Sequence, residues 1–243
     1  MKILVCLSCV PDTTSRIAFV ENDSKFDSRE VQFIIGPYED FALVRAVELK
    51  EKWGGTVTVI NVGLAETEPI LRKALAIGAD DAIRVNAHPD DSFFTASQIA
   101  AHAKGFDIIM MGRESIDFNS GAVPALTAEM LGIPCVSPVM KLDIEGNVAK
   151  MLKEADGGTE NAEASMPLVV GCQEPIASWK FPSMRAIMAA KAKPIKAEQP
   201  TEAETRVKTQ KFELPPPKKG VRLIDASNVE ELVNLLKTKA KVI

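Results

Sequence analysis

The amino-acid sequence predicts an α/β fold built on a doubly wound, mostly parallel β-sheet. Short aliphatic runs recur along the chain, and segments with helical spacing of their apolar residues separate them. The runs are rich in Val and Ile and alternate little between polar and apolar residues, which is typical of strands buried on both faces of a parallel sheet. Repeated strand–helix–strand units imply right-handed crossovers with helices on both sides of the sheet.

The strands of this sheet are predicted from five aliphatic runs. They are Lys2–Leu7, Thr56–Val62, Ala82–Val85, Asp107–Met111 and Leu168–Gly171. Ligands of open α/β sheets bind beyond the carboxyl ends of the strands. The loops that follow Leu7, Ile60 and Met111 are therefore the expected ligand-binding loops.

Helices are predicted between these strands. They cover Glu39–Trp53, Thr67–Ile77, Ser92–Lys104 and a segment that starts at Asn119 or Ser120 and ends at Leu131. The first helix ends at Gly54 and the second at Gly78, and glycine most easily takes the left-handed conformation that ends a helix.

Two later segments depart from this pattern. Within Met140–Met166, polar and apolar residues alternate on both sides of Glu145-Gly146-Asn147, which predicts an antiparallel excursion at the sheet edge. From residue 193 the chain becomes charged and proline-rich, with one short amphipathic helix at Val229–Leu236. We therefore expect a domain over residues 1–192 and an extended arm over 193–243 that packs on another surface. A flexible tail with one frayed helix is the simpler alternative.

Composition and charge exclude several classes of protein. Of the 243 residues, 46% are hydrophobic, and Lys plus Arg number 29 against 33 for Asp plus Glu, a net charge of -4. This composition is that of a globular protein, and the negative charge argues against nucleic-acid partners. No apolar run is long enough for a membrane span, and the four cysteines are too few for a disulfide scaffold. We expect a cytoplasmic protein with no membrane insertion.

Residues suited to side-chain catalysis are scarce. The two histidines, His88 and His102, lack metal-ligand companions at a useful spacing, so no metal site is expected. Cys6 and Cys9 form a CxxC pair, but Cys6 belongs to a predicted strand rather than to the helix start that redox pairs occupy. The sequence therefore disfavours an enzyme whose chemistry depends on its own side chains.

Nucleotide binding is better supported. The loop Gly112–Ala122 leaves a buried strand and enters a helix, where backbone N–H groups and the helix dipole favour a phosphate. Asn119 or Ser120 would serve equally as a plain N-cap without a ligand. Gly63 would let the backbone approach an adenine or a ribose, although a simple turn would also use it.

Several stretches resemble the β subunit of electron transfer flavoprotein, in its Bacteroidetes-type bacterial form. They are Lys2–Cys6 with Val10–Thr13, Leu71–Asp80, Gly112–Asp117, and Lys153–Glu160 followed by Pro167–Val170. The last is the most specific, although Ala162 and Gly171 depart from the usual residues. Pro182–Lys191 is similar to the loop and helix with which the family docks on dehydrogenases.

The resemblance implies a non-enzymatic electron carrier with a Rossmann-like domain of the adenine nucleotide α-hydrolase type. In such an αβ heterodimer, the α subunit supplies most of the FAD site. The β subunit holds AMP, or a second FAD in bifurcating members, and its C-terminal arm surrounds α. Electrons come from dehydrogenases, such as the acyl-CoA dehydrogenases of fatty acid oxidation, and pass to a quinone oxidoreductase. The flavin would supply the chemistry, and the protein its position and electrostatics.

The family's binding residues are carried over by position. The expected AMP contacts are Cys6, Gly36, Val62, Gly63, Asn119, Ser120, Gly121, Ala122 and Val123. Thr13 is expected near the flavin, and Met184 matches an aliphatic anchor that enters the partner. Gly36 stands where much of the family has Asn, and Ser120–Ala122 replaces a stretch that often carries Gln.

Two other functions remain open at this point. A free-standing adenine-nucleotide-binding module of the universal-stress type would have the same kind of sheet and predicts a homo-oligomer with a dispensable tail. An adenylating enzyme would need a Gly-rich pyrophosphate loop after the first strand, and Ser8-Cys9-Val10-Pro11 is not one.

Overall fold

A computed structural model of the chain describes residues 1–217 and 220–243. Its strands are β1 (Lys2–Cys6), β2 (Cys9–Pro11), β3 (Phe19–Val20), β4 (Lys25–Phe26), β5 (Phe33–Ile35), β6 (Thr56–Val62), β7 (Asp81–Val85), β8 (Ile108–Gly112), β9 (Cys135–Glu145), β10 (Val148–Ala155), β11 (Gly158–Ser165), β12 (Leu168–Cys172) and β13 (Ile195–Glu198). Its α-helices are α1 (Pro37–Trp53), α2 (Glu68–Ile77), α3 (Ser92–His102), α4 (Val123–Leu131), α5 (Met184–Ala192) and α6 (Val229–Leu235).

The predicted doubly wound sheet is confirmed. In the described ranges, nine strands form one sheet in the order β11-β10-β9-β12-β8-β1-β6-β7-β13. Neighbours from β9 to β13 pair in parallel, whereas β10 pairs antiparallel with both β9 and β11. The antiparallel excursion is therefore at the sheet edge, as predicted, but β11 extends it. β11 is mostly polar and exposed, so it lacks the apolar alternation that reveals a strand in a sequence.

Helices cover the two faces of the sheet, and successive residues of each strand face opposite sides. In β1, Ile3 and Val5 join the apolar cluster beneath α1 and α2, whereas Leu4 and Cys6 join the cluster beneath α3 and α4. Burial on both faces explains why this strand reads as a continuous apolar run. Within residues 1–217 and 220–243, no helix has both the length and the apolar character that a membrane span requires.

The predicted start of the fourth helix is wrong. α4 begins at Val123 rather than at Asn119 or Ser120, and its capping residue, Ala122, offers no side-chain hydrogen bond. Asn119 has φ 52° and Gly121 has φ 60°, so both residues lie in the left-handed region and cannot continue a right-handed helix. The loop therefore extends to the helix start.

The first residues of the predicted arm lie on this chain's own domain. β13 pairs in parallel with β7 at the edge of the sheet, with Ile195 opposite Ala82. Further on, Phe212 stacks on Phe19 with ring centroids 4.8 Å apart, and its N–H donates to the carbonyl of Asp23. A strand of four residues, two of them exposed, gives little sequence signal, so the arm's first part was not predicted to extend the sheet.

Candidate functional site

Three of the predicted ligand-binding loops meet at one edge of the sheet. β1 lies between β8 and β6, with Val5 opposite Met110 and Cys6 opposite Ile60. Because these strands are parallel, their carboxyl ends lie side by side, and the loops after them share this edge. The sequence prediction of a common ligand-binding edge is geometrically consistent with this arrangement.

Cys6 and Val62 belong to the same buried cluster, against which Val123 packs from the start of α4. Burial raises the pKa of the Cys6 thiol, and the Glu39 carboxylate raises it further. The more exposed Cys9 has a pKa of about 11, raised by burial and by the carboxylates of Glu66 and Asp117. Because the thiolate is the reactive form, neither residue is suited to act as a nucleophile or redox centre. Cys6 is instead part of the buried apolar cluster at this edge of the sheet.

A buried carboxyl group stands at the start of α1. Glu39 is 4% exposed, and the Ser8 hydroxyl donates a hydrogen bond of 2.5 Å to its Oε1. Its Oε2 has no hydrogen-bond partner. Burial raises the pKa of Glu39 to about 7, although the bond from Ser8 opposes this shift. Glu39 also occupies the space beside Gly36 and Gly112, so a side chain at either glycine would collide with its carboxyl group.

Asn61 is a second buried polar residue at this edge. Its Nδ2 donates 2.8 Å to the carbonyl of Leu7, which joins the ends of β1 and β6. Its Oδ1 is buried without a partner. A side chain at Gly63 would collide with Asn61 and Thr67. Glycine is therefore required at position 63 by the packing of the chain itself, whether or not a ligand approaches.

The loop before α4 brings the remaining predicted contacts to the same edge. Ser120 Oγ lies 2.9 Å from the Ser92 hydroxyl at the start of α3, and the Asn119 N–H donates 2.9 Å to the carbonyl of Ser115. Gly121 has a left-handed backbone, which favours glycine. A side chain added there would meet the carbonyl of Arg113 at an ordinary contact distance, so the conformation rather than the space selects glycine. Pro124 has no N–H and the Leu126 N–H bonds the carbonyl of Ala122, so the Val123 N–H and the helix dipole are available to an anion at the uncapped start of α4.

Arg113 ties the same loop to the neighbouring strands. Its Nη1 donates 2.8 Å to Gln173 Oε1 beyond β12, and Gln173 Nε2 donates 2.5 Å to Glu154 Oε2 on β10. Glu154 belongs to the most specific of the stretches that carried the family resemblance. This network fixes the exit of β8 against the antiparallel part of the sheet.

Thr13 and Met184 lie in other segments. Thr13 is exposed in a turn after β2, beside the bonds that Thr14 donates to Asp12. Met184 begins α5, which packs on α2, and its side chain is 74% exposed. The structure thus groups the predicted AMP contacts at one edge and places the predicted docking residue on a helical surface.

Sequence reasoning missed Ser8, Glu39 and Asn61 as site residues. Glu39 follows Pro37 in the first turn of α1, where an acidic residue is favourable for the helix dipole alone. Asn61 stands between the apolar residues Ile60 and Val62 of β6, and an amide side chain at this place was the available signal. Glu39 and Asn61 are both buried, each with one side-chain oxygen that has no hydrogen-bond partner, and this was visible only in three dimensions.

The fold and the grouped loops define a doubly wound α/β domain with its candidate ligand site at the carboxyl edge of a mostly parallel sheet. A sequence profile of the electron transfer flavoprotein domain matches residues 24–203. Two relatives are named electron transfer flavoprotein subunit beta. The protein of Bacillus subtilis (strain 168) is 35% identical over 100% of both chains. That of Syntrophomonas wolfei is 36% identical over 100% of this chain and 98% of its own. The chain belongs to the electron transfer flavoprotein β-subunit family.

Proposed function

We propose that this chain pairs with an electron transfer flavoprotein α subunit to form a soluble electron carrier. The heterodimer would accept electrons from dehydrogenases such as acyl-CoA dehydrogenases and deliver them to a quinone oxidoreductase. FAD shared with the α subunit would supply the redox chemistry. The observation that carries this proposal is the full-length similarity to two proteins named as the β subunit.

We further propose that the carboxyl edge of the sheet holds AMP. Two observations support a fit to a nucleotide. Asn61 Oδ1 is buried without a partner at the end of β6, and such an atom is suited to accept a bond from a base or a ribose hydroxyl. The uncapped first turn of α4 is suited to a phosphate.

The residues at this edge would then divide the binding between them. Cys6, Val62 and Val123 would contact the apolar face of the base, and Gly36 would present backbone groups beside it. The N–H groups of residues 120–123 would bind the phosphate, which compensates for the missing Gln side chain of the family. Thr13 would lie towards the flavin, and Met184 would enter the dehydrogenase.

The test is the nucleotide content of the complex. The chain is co-expressed with its α subunit, the purified heterodimer is denatured, and the released nucleotides are identified by chromatography and mass spectrometry. We expect FAD and AMP in equal amounts, one of each per heterodimer. Two FAD would identify a bifurcating flavoprotein instead. A complex that holds no flavin, or a chain that forms a stable homo-oligomer with adenine nucleotide, would favour the free-standing nucleotide-binding module.

A further inference from the structure

The segment between β12 and α5 carries an unusual contact that the proposed function leaves unexplained. Trp179 Nε1 donates a hydrogen bond of 3.1 Å to Asp40 Oδ2, in the first turn of α1. The same oxygen accepts a bond of 2.9 Å from Lys73 Nζ on α2, and this ammonium group lies 5.4 Å from the centre of the Trp179 ring. We call these three residues the Trp179 clamp.

The carboxylate at the centre of the clamp is sheltered from water, although Trp179 itself is 37% exposed. Asp40 is 7% exposed, so the indole N–H and the ammonium group both bond to a carboxylate that has little solvent contact. Hydrogen bonds to charged groups are stronger than those between neutral groups, and low solvent access strengthens them further. The backbone at Trp179 is therefore held against α1 and α2.

Further bonds hold the rest of this segment on the same two helices. Lys180 Nζ lies 3.6 Å from Glu48 Oε1 on α1. Arg72 on α2 donates to the carbonyls of Ala190 and Lys193 at the end of α5. Trp179 and Lys180, before α5, and the end of α5 are thus both held on α1 and α2.

Three apolar side chains between these anchors are exposed, whereas Ile187 packs against the core. Phe181, Met184 and Met188 are 84%, 74% and 60% exposed, and we call them the docking ridge. Trp179 contacts the ridge directly, because its ring meets that of Phe181 edge-on with centroids 3.9 Å apart. Met184 and Met188 are one helical turn apart, so they share a face of α5.

We propose that Trp179 is a positioning residue for partner docking: the Trp179 clamp holds Phe181 outward, so that Phe181 and Met184 enter an apolar pocket of the electron-donating dehydrogenase together. The proposal rests on the docking role given above to Met184. A ridge that is ordered before the encounter loses less conformational entropy on binding, which strengthens docking without changing the flavin. Unbranched methionine beside an aromatic anchor suits pockets of somewhat different shape.

The test compares heterodimers that carry Trp179→Phe, Met184→Ala or Trp53→Phe with the unaltered heterodimer. Phenylalanine keeps a ring at position 179 but removes the N–H donor. Trp53 is the matched control, because it is exposed at the end of α1 and its ring centre lies 5.0 Å from Lys52 Nζ. Electron transfer from an acyl-CoA dehydrogenase, reduced by its acyl-CoA substrate, is measured as a function of heterodimer concentration.

We expect Trp179→Phe to raise the half-saturating heterodimer concentration about fivefold with an unchanged limiting rate, since one charged hydrogen bond is lost. Met184→Ala should also raise this concentration, and Trp53→Phe should not. An unchanged half-saturating concentration for Trp179→Phe, or a lower limiting rate, would overturn the proposal.

Limited digestion with trypsin separates failure of this inference from failure of the proposed function. Release of the clamp should speed cleavage after Lys180 in Trp179→Phe, and Trp53→Phe should be cut at the original rate. If the unaltered heterodimer accepts no electrons from the dehydrogenase, the proposed function fails, and the digestion alone decides whether the clamp orders the segment. Equal cleavage after Lys180 in all variants would show that it does not.

Discussion

Glu39 carries a carboxyl group inside the protein, with one oxygen bonded to Ser8 and the other without a partner. Gly36 and Gly112 lie beside it, and because neither has a side chain, the Glu39 carboxyl group fills the space next to them. At the residue scale, the edge of the sheet is therefore shaped by a carboxyl group that prefers to be neutral. The backbone of the α1 start and of the β8 exit packs around it.

We predict that Glu39 makes the stability of the chain depend on pH. Its pKa is raised to about 7 in the folded protein, mainly by burial. Because the folded-state pKa is raised, the folded protein holds the proton more tightly than the unfolded chain does, which favours folding at low pH. As the pH rises from the pKa of the unfolded chain through 7, the free energy of unfolding should fall by about 3 kcal/mol. Urea unfolding of Glu39→Gln at pH 5 and pH 8 should lack this loss, because glutamine is neutral at both.

Glu51→Gln is the control for this prediction, since it removes an exposed carboxyl group from the same helix. Its unfolding free energy should change between pH 5 and pH 8 as that of the unaltered chain does. If Glu39→Gln behaved in the same way as Glu51→Gln, Glu39 would be ionised in the folded protein at pH 5. The prediction that its buried carboxyl group is neutral would then be wrong.

At the scale of elements, α3 connects the candidate nucleotide loop with the beginning of the arm. Ser92 contacts Ser120 on one side of the helix start. The adjacent Asp91 accepts N–H bonds from Phe94, as the N-cap, and from Arg206 and Val207 of the arm. Burial alone would raise the pKa of Asp91, but these three bonds hold it below its usual value.

We predict that Asp91→Ala lowers the free energy of unfolding by more than the loss of an ordinary helix N-cap does. Loss of a helix N-cap costs about 1 kcal/mol, and the arm N–H groups that lose their charged acceptor should bring the total to about 2 kcal/mol. Ser183→Ala is the matched control, because Ser183 caps α5 through the N–H of Ala186 and holds no arm residue. Urea unfolding and amide exchange at Arg206 and Val207 measure the difference. Equal costs for the two variants would mean that the arm contacts contribute nothing.

At the scale of the whole molecule, the chain has an arm of two unlike parts. The part up to Phe212 lies on the chain's own domain through β13, through the Gln98 side chain that bonds Thr201, and through Phe19. Beyond it, apolar side chains are exposed, as at Val221 and Leu223, which are 84% and 88% exposed. Exposed apolar residues in such numbers are typical of a surface that a partner covers.

We predict that a chain ending at Glu213 folds but no longer assembles. Every contact that holds the first part of the arm is retained in it, so its circular dichroism and unfolding midpoint should match those of the full chain within a few degrees. Capture of the co-expressed α subunit through a tag on the truncated chain should be lost. A truncated chain that still captures the α subunit, or one that fails to fold, would contradict this division of the arm.

The sequence by itself determined the fold class, the family and the common edge at which the loops after β1, β6 and β8 lie. Strands buried on both faces must be apolar throughout, and helices packed on a sheet must be apolar on one side, so both leave periodic patterns that can be recognised without coordinates. Short motifs carried the family resemblance because their residues recur together and in order.

Only the tertiary structure decided features that depend on neighbours distant in the chain. The start of α4 followed from the left-handed backbone at Asn119 and Gly121, and the place of β13 followed from an open edge beside β7. The buried Glu39 carboxyl group lies between two glycines distant in the chain, one before α1 and one at the end of β8, and the Trp179 clamp joins residues 139 positions apart. The sequence carries no local pattern for such contacts, because each depends on surfaces that exist only after the sheet and its helices have packed.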